Sequence, residues 1–176
     1  HLFMYNNTAS ATMQSNNNEG ETKSTASGEI LSQPGGPDLL KTLEHLLCQI
    51  EHQSNGNPRW NLQHYLGGRP GKSAVILARD TSIGLVALKF IFAHDAKTQQ
   101  RFTREIRMLA RVAHPNVVQS KKDNPLSSED GTLMIGVLEY LPNQSIDHMI
   151  KQEGCLGEQR AVAIAIDVLR GLEHIH

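Results

Sequence analysis

Net charge is almost absent from this chain: 17 Lys and Arg stand against 18 Asp and Glu, leaving −1 with the histidines neutral. A near-neutral chain has no long-range electrostatic pull on nucleic acid or an anionic membrane. No basic stripe with interleaved aromatics runs through it, and aromatics make up only 5% of residues. Neither nucleic acid nor a membrane is therefore expected as a partner. No apolar run approaches the ~20 residues that a membrane helix needs. The opening His1-Leu2-Phe3-Met4-Tyr5-Asn6 has neither the basic region nor the long apolar core of a secretory signal. Cysteine is scarce too. Cys48 and Cys155 are far apart and have no metal-ligand spacing, which points to two reduced thiols in a cytoplasmic protein. None of the nine histidines pairs at a zinc-binding spacing near a third ligand, so no metal site is expected.

What is present divides the 176 residues into one ordinary domain and its leader segments. Residues 1–36 are expected to be a disordered tail, because a stretch rich in Asn, Ser, Thr, Gly and Glu buries too little apolar surface to offset its ordering entropy. Pro34-Gly35-Gly36-Pro37 breaks the chain. Residues 37–58 then read as an amphipathic helix and a linker. Leu39, Leu40, Leu43, Leu46, Leu47 and Ile50 recur at helical spacing, with Lys41, Glu44, His45 and Gln49 between them. A helix over 38–52 either packs on the domain that follows or docks a partner. The chain does not begin with methionine and stops within a helical pattern, so it is expected to be a fragment of a longer protein.

From Trp60 the pattern changes to short strands. Leu62–Leu66 alternates, Gly67-Gly68-Arg69-Pro70-Gly71 turns, Ala74–Ala78 is a second strand, and Asp80–Gly84 turns the chain back into a third, Leu85–Ile91. Phe102, Ile106, Leu109 and Val112 mark one face of a helix that Pro115 stops. Val117-Val118 is expected to open a fourth strand, Lys121–Gly131 to form a polar loop, and Leu133–Leu138 to be a fifth strand. Glu139–Asn143 is a connector. Ser145–Lys151 and Glu158–Ile175 read as helices.

Lys89 closes the apolar run Val86-Ala87-Leu88-Lys89, and Glu105 lies in the helical run Arg104-Glu105-Ile106-Arg107-Met108-Leu109. A strand that ends in a lone ammonium delivers one cation to a site, and a helix carboxylate can meet it. Together with His114-Pro115-Asn116-Val117-Val118, Val137-Leu138-Glu139-Tyr140-Leu141 and Gly171-Leu172-Glu173-His174-Ile175-His176, these runs resemble the protein-kinase family, most nearly its serine/threonine members, over residues 62–176. The resemblance implies an α+β fold. Residues 59–138 would form the small lobe, a five-stranded antiparallel sheet with its αC-type helix, and residues 139–176 the hinge and the first helices of a truncated large lobe.

It also implies ATP and Mg2+ as cofactors and a protein with a hydroxyl acceptor as substrate. Lys89 and Glu105 would be the catalytic pair, the lysine holding phosphates and the glutamate fixing the lysine when its helix is swung in. Val75 and Ala87 would roof the adenine pocket, Leu138 would back it, Glu139 and Leu141 would offer backbone groups, and Ser145 would reach ribose or else cap the short helix. In the glycine-rich loop only Gly68 matches, because Pro70 and Ser73 replace the other two glycines; Gly71 and Lys72 are the local substitutes.

The catalytic aspartate and the metal-binding residues are expected to lie past His176, so this polypeptide alone is expected not to transfer phosphate. A pseudokinase or scaffold module is the alternative. A P-loop NTPase is a minor one: Gly71-Lys72-Ser73 resembles the end of that motif, but Leu66 stands at its first glycine and a strand rather than a helix follows. Ser120, where the family places an apolar residue, and Gly136, within the fifth strand, are two further departures.

Overall fold

The computed structural model describes residues 37–50, 58–69, 72–142 and 145–175. Helix α1 (Pro37–Ile50) precedes strands β1 (Trp60–Arg69), β2 (Ser73–Asp80) and β3 (Gly84–Phe92). Helix α2 (Ala96–Arg111), β4 (Leu126–Ser127), β5 (Leu133–Glu139), α3 (Ile146–Glu153) and α4 (Glu158–Ile175) follow. The strands form one five-stranded sheet in the order β1-β2-β3-β5-β4, and every neighbouring pair is antiparallel. The disordered tail expected over residues 1–36 lies outside the described residues.

The central strands are apolar on both faces because both faces are covered. Ala74, Ile76, Ala78, Val86, Leu88, Phe90, Ile135 and Val137 form a core with Leu43 and Leu47 of α1 and with Trp60 and Leu62. Leu43 is fully buried. The intervening residues Val75, Ala87, Ile91, Met134 and Leu138 point to the other face and pack with Phe102, Ile106 and Leu109 of α2. Strand alternation thus splits one continuous apolar run between two cores. Helix α1 is the cover of the first, with Lys41, Glu44, His45 and Gln49 left exposed on its outer side.

Two expectations about the strands need correction. The first strand does not end at Leu66: β1 continues through Gly67↔Val75, Gly68↔Ala74 and Arg69↔Ser73. Glycine makes this approach feasible, since a Cβ on Gly68 would lie 2.3 Å from the Ser73 carbonyl oxygen and its φ is +151°. The fourth strand is not at Val117-Val118. The amide of Val117 instead donates to the His114 carbonyl at 3.1 Å, closing a turn around Pro115. Ser120 makes only an isolated bridge to Leu138. Strand β4 falls inside the stretch read as polar loop, where Asp130 accepts from Ser128 and Thr132 and so organises a tight hairpin against β5.

Helix α2 starts where Asp95 accepts from the Thr98 amide at 2.8 Å, a side-chain N-cap. Helices α3 and α4 are more open. No residue of α3 is buried, and Gly171 is the buried residue of α4. Val162, Ile166 and Leu169 are 51%, 43% and 63% exposed along one side of α4. The C-terminal end of α4 meets the α2–β4 connection, where the rings of His114 and His174 stack 5.0 Å apart and Ile175 packs on the second core.

Candidate nucleotide site

The β2–β3–β5 register lines up residues of the α2-facing side in rows. Val75, Lys89 and Gly136 stand abreast, and the next row is Leu77, Ala87 and Leu138. Val75, Ala87 and Leu138 are 3%, 2% and 3% exposed, so Lys89 rises from an apolar floor. Its Nζ donates to Glu105 Oε1 of α2 at 2.6 Å and lies 5.6 Å from the centre of the Phe102 ring. Phe102 beside this cation was not singled out from sequence as a site residue; its place on the buried helix face was the available signal.

The Lys89 and Glu105 side chains keep 25% and 31% of their surface exposed. A pair this wet contributes at most about 1 kcal/mol to stability. Its importance is geometric: it holds one ammonium at a defined height over the apolar row. The helix that carries Glu105 is tied down along its length. Gln99 Nε2 donates to the Gly131 carbonyl at 3.1 Å, the Ser120 amide donates to the Leu109 carbonyl at 3.2 Å, and Arg107 Nε donates to Asn124 Oδ1 at 2.8 Å. Ser120 itself is 5% exposed, and its hydroxyl is satisfied by the carbonyls of Lys122 and Val137 at 2.7 and 3.2 Å.

The connector residues are less uniform. Glu139 ends β5, and its carboxylate accepts from the Gln119 amide at 2.8 Å while its own amide donates to the Gln119 carbonyl at 2.9 Å. Leu141 is 51% exposed. Ser145 is the N-cap of α3, its hydroxyl accepting from the His148 amide at 3.2 Å, which is the capping alternative posed from sequence. Gly68 lies in the β1–β2 ladder, and Gly71 is outside the described residues. The Lys72 amide closes the hairpin by donating to the Arg69 carbonyl at 3.0 Å. Cys48 and Cys155 are both free thiols. Among the described residues no cluster of three or more His, Cys, Asp or Glu could hold a metal ion.

A sheet with one lysine paired to one helix carboxylate, beside an apolar row that leads into a connector, is the architecture of a protein-kinase small lobe. The protein kinase domain family matches residues 63–176, more than half of the chain, and the chain belongs to that family. It is 32% identical over 113 residues to the serine/threonine-protein kinase pkn3 of Myxococcus xanthus, covering 62% of this chain and 20% of that protein. It is 32% identical over 111 residues to a probable receptor-like protein kinase of Arabidopsis thaliana, covering 62% of this chain and 31% of the relative. A probable serine/threonine-protein kinase PknB of Bifidobacterium longum is 32% identical over 118 residues, 62% of this chain and 17% of the relative. The chain thus spans no more than about a third of these relatives. Among the described residues no helix is long and apolar enough to cross a membrane.

Proposed function

We propose that this chain carries the nucleotide-holding half of an ATP-dependent serine/threonine protein kinase. Residues 59–138 would act as the small lobe, and 139–176 as the hinge and the start of the large lobe. The observation that carries the reading is the 2.6 Å contact between Lys89 and Glu105 above the apolar floor of Val75, Ala87 and Leu138. Lys89 supplies a fixed positive charge to phosphate oxygens, and Glu105 keeps that charge from collapsing onto the sheet. Ala87 and Leu138, adjacent across β3 and β5, offer a flat apolar wall to a purine, with Val75 one row further along. Backbone groups of Glu139 and Leu141 would orient the base. Ser145 retains a hydroxyl proton that could be donated to a sugar oxygen, although its oxygen already caps α3.

The full activity requires groups outside these residues. His-Arg-Asp and Asp-Phe-Gly do not occur in the sequence. No step of phosphoryl transfer is therefore assigned to this polypeptide alone, and its Mg2+ ligands and acceptor protein belong to the wider kinase. The setting is cytoplasmic. A partner of α1 would have to meet its polar outer side, because Leu43 and Leu47 are committed to the sheet.

Isothermal titration with Mg-ATP tests the reading. Wild type binds. Lys89→Ala weakens binding about ten- to a hundredfold, the loss of a charged hydrogen bond of about 1.5–3 kcal/mol, and Glu105→Gln weakens it in the same direction. Equal affinity in wild type and Lys89→Ala would remove the basis of the proposal. A scaffold role is the second reading, favoured by one contact: the Arg69 amide donates to Ser73 Oγ at 3.2 Å, so an amide near the hairpin tip is engaged by the side chain that replaces a glycine. Absence of any nucleotide binding by the folded wild type selects that reading.

A further inference from the structure

Gly136 has no conformational reason to be glycine. It is not among the positive-φ glycines, which are Gly67, Gly68, Gly84, Gly131 and Gly154 in the described residues. It sits inside β5, paired with Lys89 of β3. Glycine within a strand weakens that strand, since it adds backbone entropy to the unfolded chain and packs nothing. Local structure alone would therefore select alanine or a β-branched residue.

The reason lies across the interface. A Cβ built on Gly136 would come 2.5 Å from Ile106 Cδ1, 3.3 Å from Ile106 Cγ1 and 3.2 Å from Phe102 Cζ. Ile106 is fully buried and Phe102 is 3% exposed, so neither side chain can swing out into solvent. Ile106 directly follows Glu105 in α2, and Phe102 lies beside the Lys89 ammonium. The missing side chain on β5 is filled by the tip of Ile106.

We infer that Gly136 is a positioning residue: it forms a methyl-sized slot that seats Ile106 and so sets the distance at which α2 brings Glu105 to Lys89. A side chain at 136 acts as a wedge under the helix at the level of the ion pair. The consequence for binding rests on the nucleotide reading of Lys89 and Glu105 given above; the seating itself rests on packing. Tethers at Gln99, Arg107 and Leu109 hold the helix laterally, and the slot sets its height.

The test uses the full chain as wild type, Gly136→Ala, Ile106→Val, and the double variant, which moves one methyl from the helix to the strand. Amide hydrogen exchange across residues 102–109 reads the seating, and titration with Mg-ATP reads the pair. Gly136→Ala should speed exchange in this stretch and weaken nucleotide binding, each by about tenfold, and the double variant should return both to within about threefold of wild type. A purely local effect on β5 would not be rescued by shortening Ile106. Wild-type exchange and affinity in Gly136→Ala overturn the inference, as does a double variant as impaired as the single. If Gly136→Ala does not fold, a folded double variant supports the slot and an unfolded one overturns it. If wild type binds no nucleotide but exchange follows the expected pattern, the nucleotide reading fails and the slot stands.

Discussion

Leu43→Ala probes whether α1 belongs to the fold or merely rests against it. Leu43 is fully buried in the core that also contains Ile76, Leu88, Phe90 and Trp60. The substitution removes three carbon groups, or about 2.4 kcal/mol of transfer free energy at ~0.8 kcal/mol each. A residual cavity adds to this, because side chains held between a helix and a sheet relax only in part, and a total of about 3 kcal/mol is expected. Trp60, the single tryptophan, is 4% exposed in the same core and reports directly on it. Urea unfolding followed by Trp60 fluorescence should show a midpoint lower by about 2 M if the slope is ~1.5 kcal/mol/M, with the slope unchanged. Lys41→Ala on the exposed side of α1 is the control and should move stability by no more than about 0.5 kcal/mol. If the two variants unfold alike, α1 does not close the outer core and the two-core description of the sheet is wrong. A fall in slope as well would mean that the whole helix has come away in the variant.

Two further predictions concern the β-sheet turns, and both are read by the same urea assay. Asp80 is 2% exposed; burial raises its pKa, but hydrogen bonds from the Ser82 hydroxyl and amide, from Arg59 and from the Ile83 amide outweigh this and hold it at about 2. A folded-state pKa below the ordinary 3.8 contributes stability that is present above about pH 4 and is lost as pH falls toward about 2. The amount is about 2 kcal/mol at ~1.4 kcal/mol per unit, so Asp80→Asn should flatten the acid limb of stability against pH, and an unchanged limb counts against the assignment. Gly68→Ala should cost about 2 kcal/mol or more, because the new Cβ meets backbone at φ +151°. Gly84→Ala, at φ +86° with nothing within 4 Å, should cost only the strain of its backbone, about 1 kcal/mol. Equal costs would show that the close approach at Gly68 is not what the glycine serves.

The kinase geometry also explains why the ion pair is a poor anchor and a good positioner. A pair with a quarter or more of each side chain in water is held by what lies beneath it, not by its own attraction. Here that support is the buried face of α2 and its polar ties to the β4–β5 hairpin and to the connection that precedes β4. Helix position, and with it the pair, is therefore open to adjustment by small changes in packing.

Much of this was legible in the sequence because it depends on short-range periodicity. The 3.6-residue recurrence of Phe102, Ile106 and Leu109 specified α2 and its buried face, and the apolar runs of β2, β3 and β5 specified strands. Lys89 stood out because a single charge in such a run has few purposes. The rest required long-range contact. Whether Leu43 and Leu47 served the sheet or a partner could not be decided from an amphipathic pattern, which says that a face is buried and not against what. The true β4 was hidden because a two-residue strand carries no periodicity and is defined by the partner it pairs with. Gly136 looked like a defect in a strand until the helix tip that fills it was in place. Sequence by itself determined the longer periodic elements and which residues carry charge among them. Tertiary structure alone decided which faces meet and at what distance, since close packing is a property of two surfaces and is written in neither one separately.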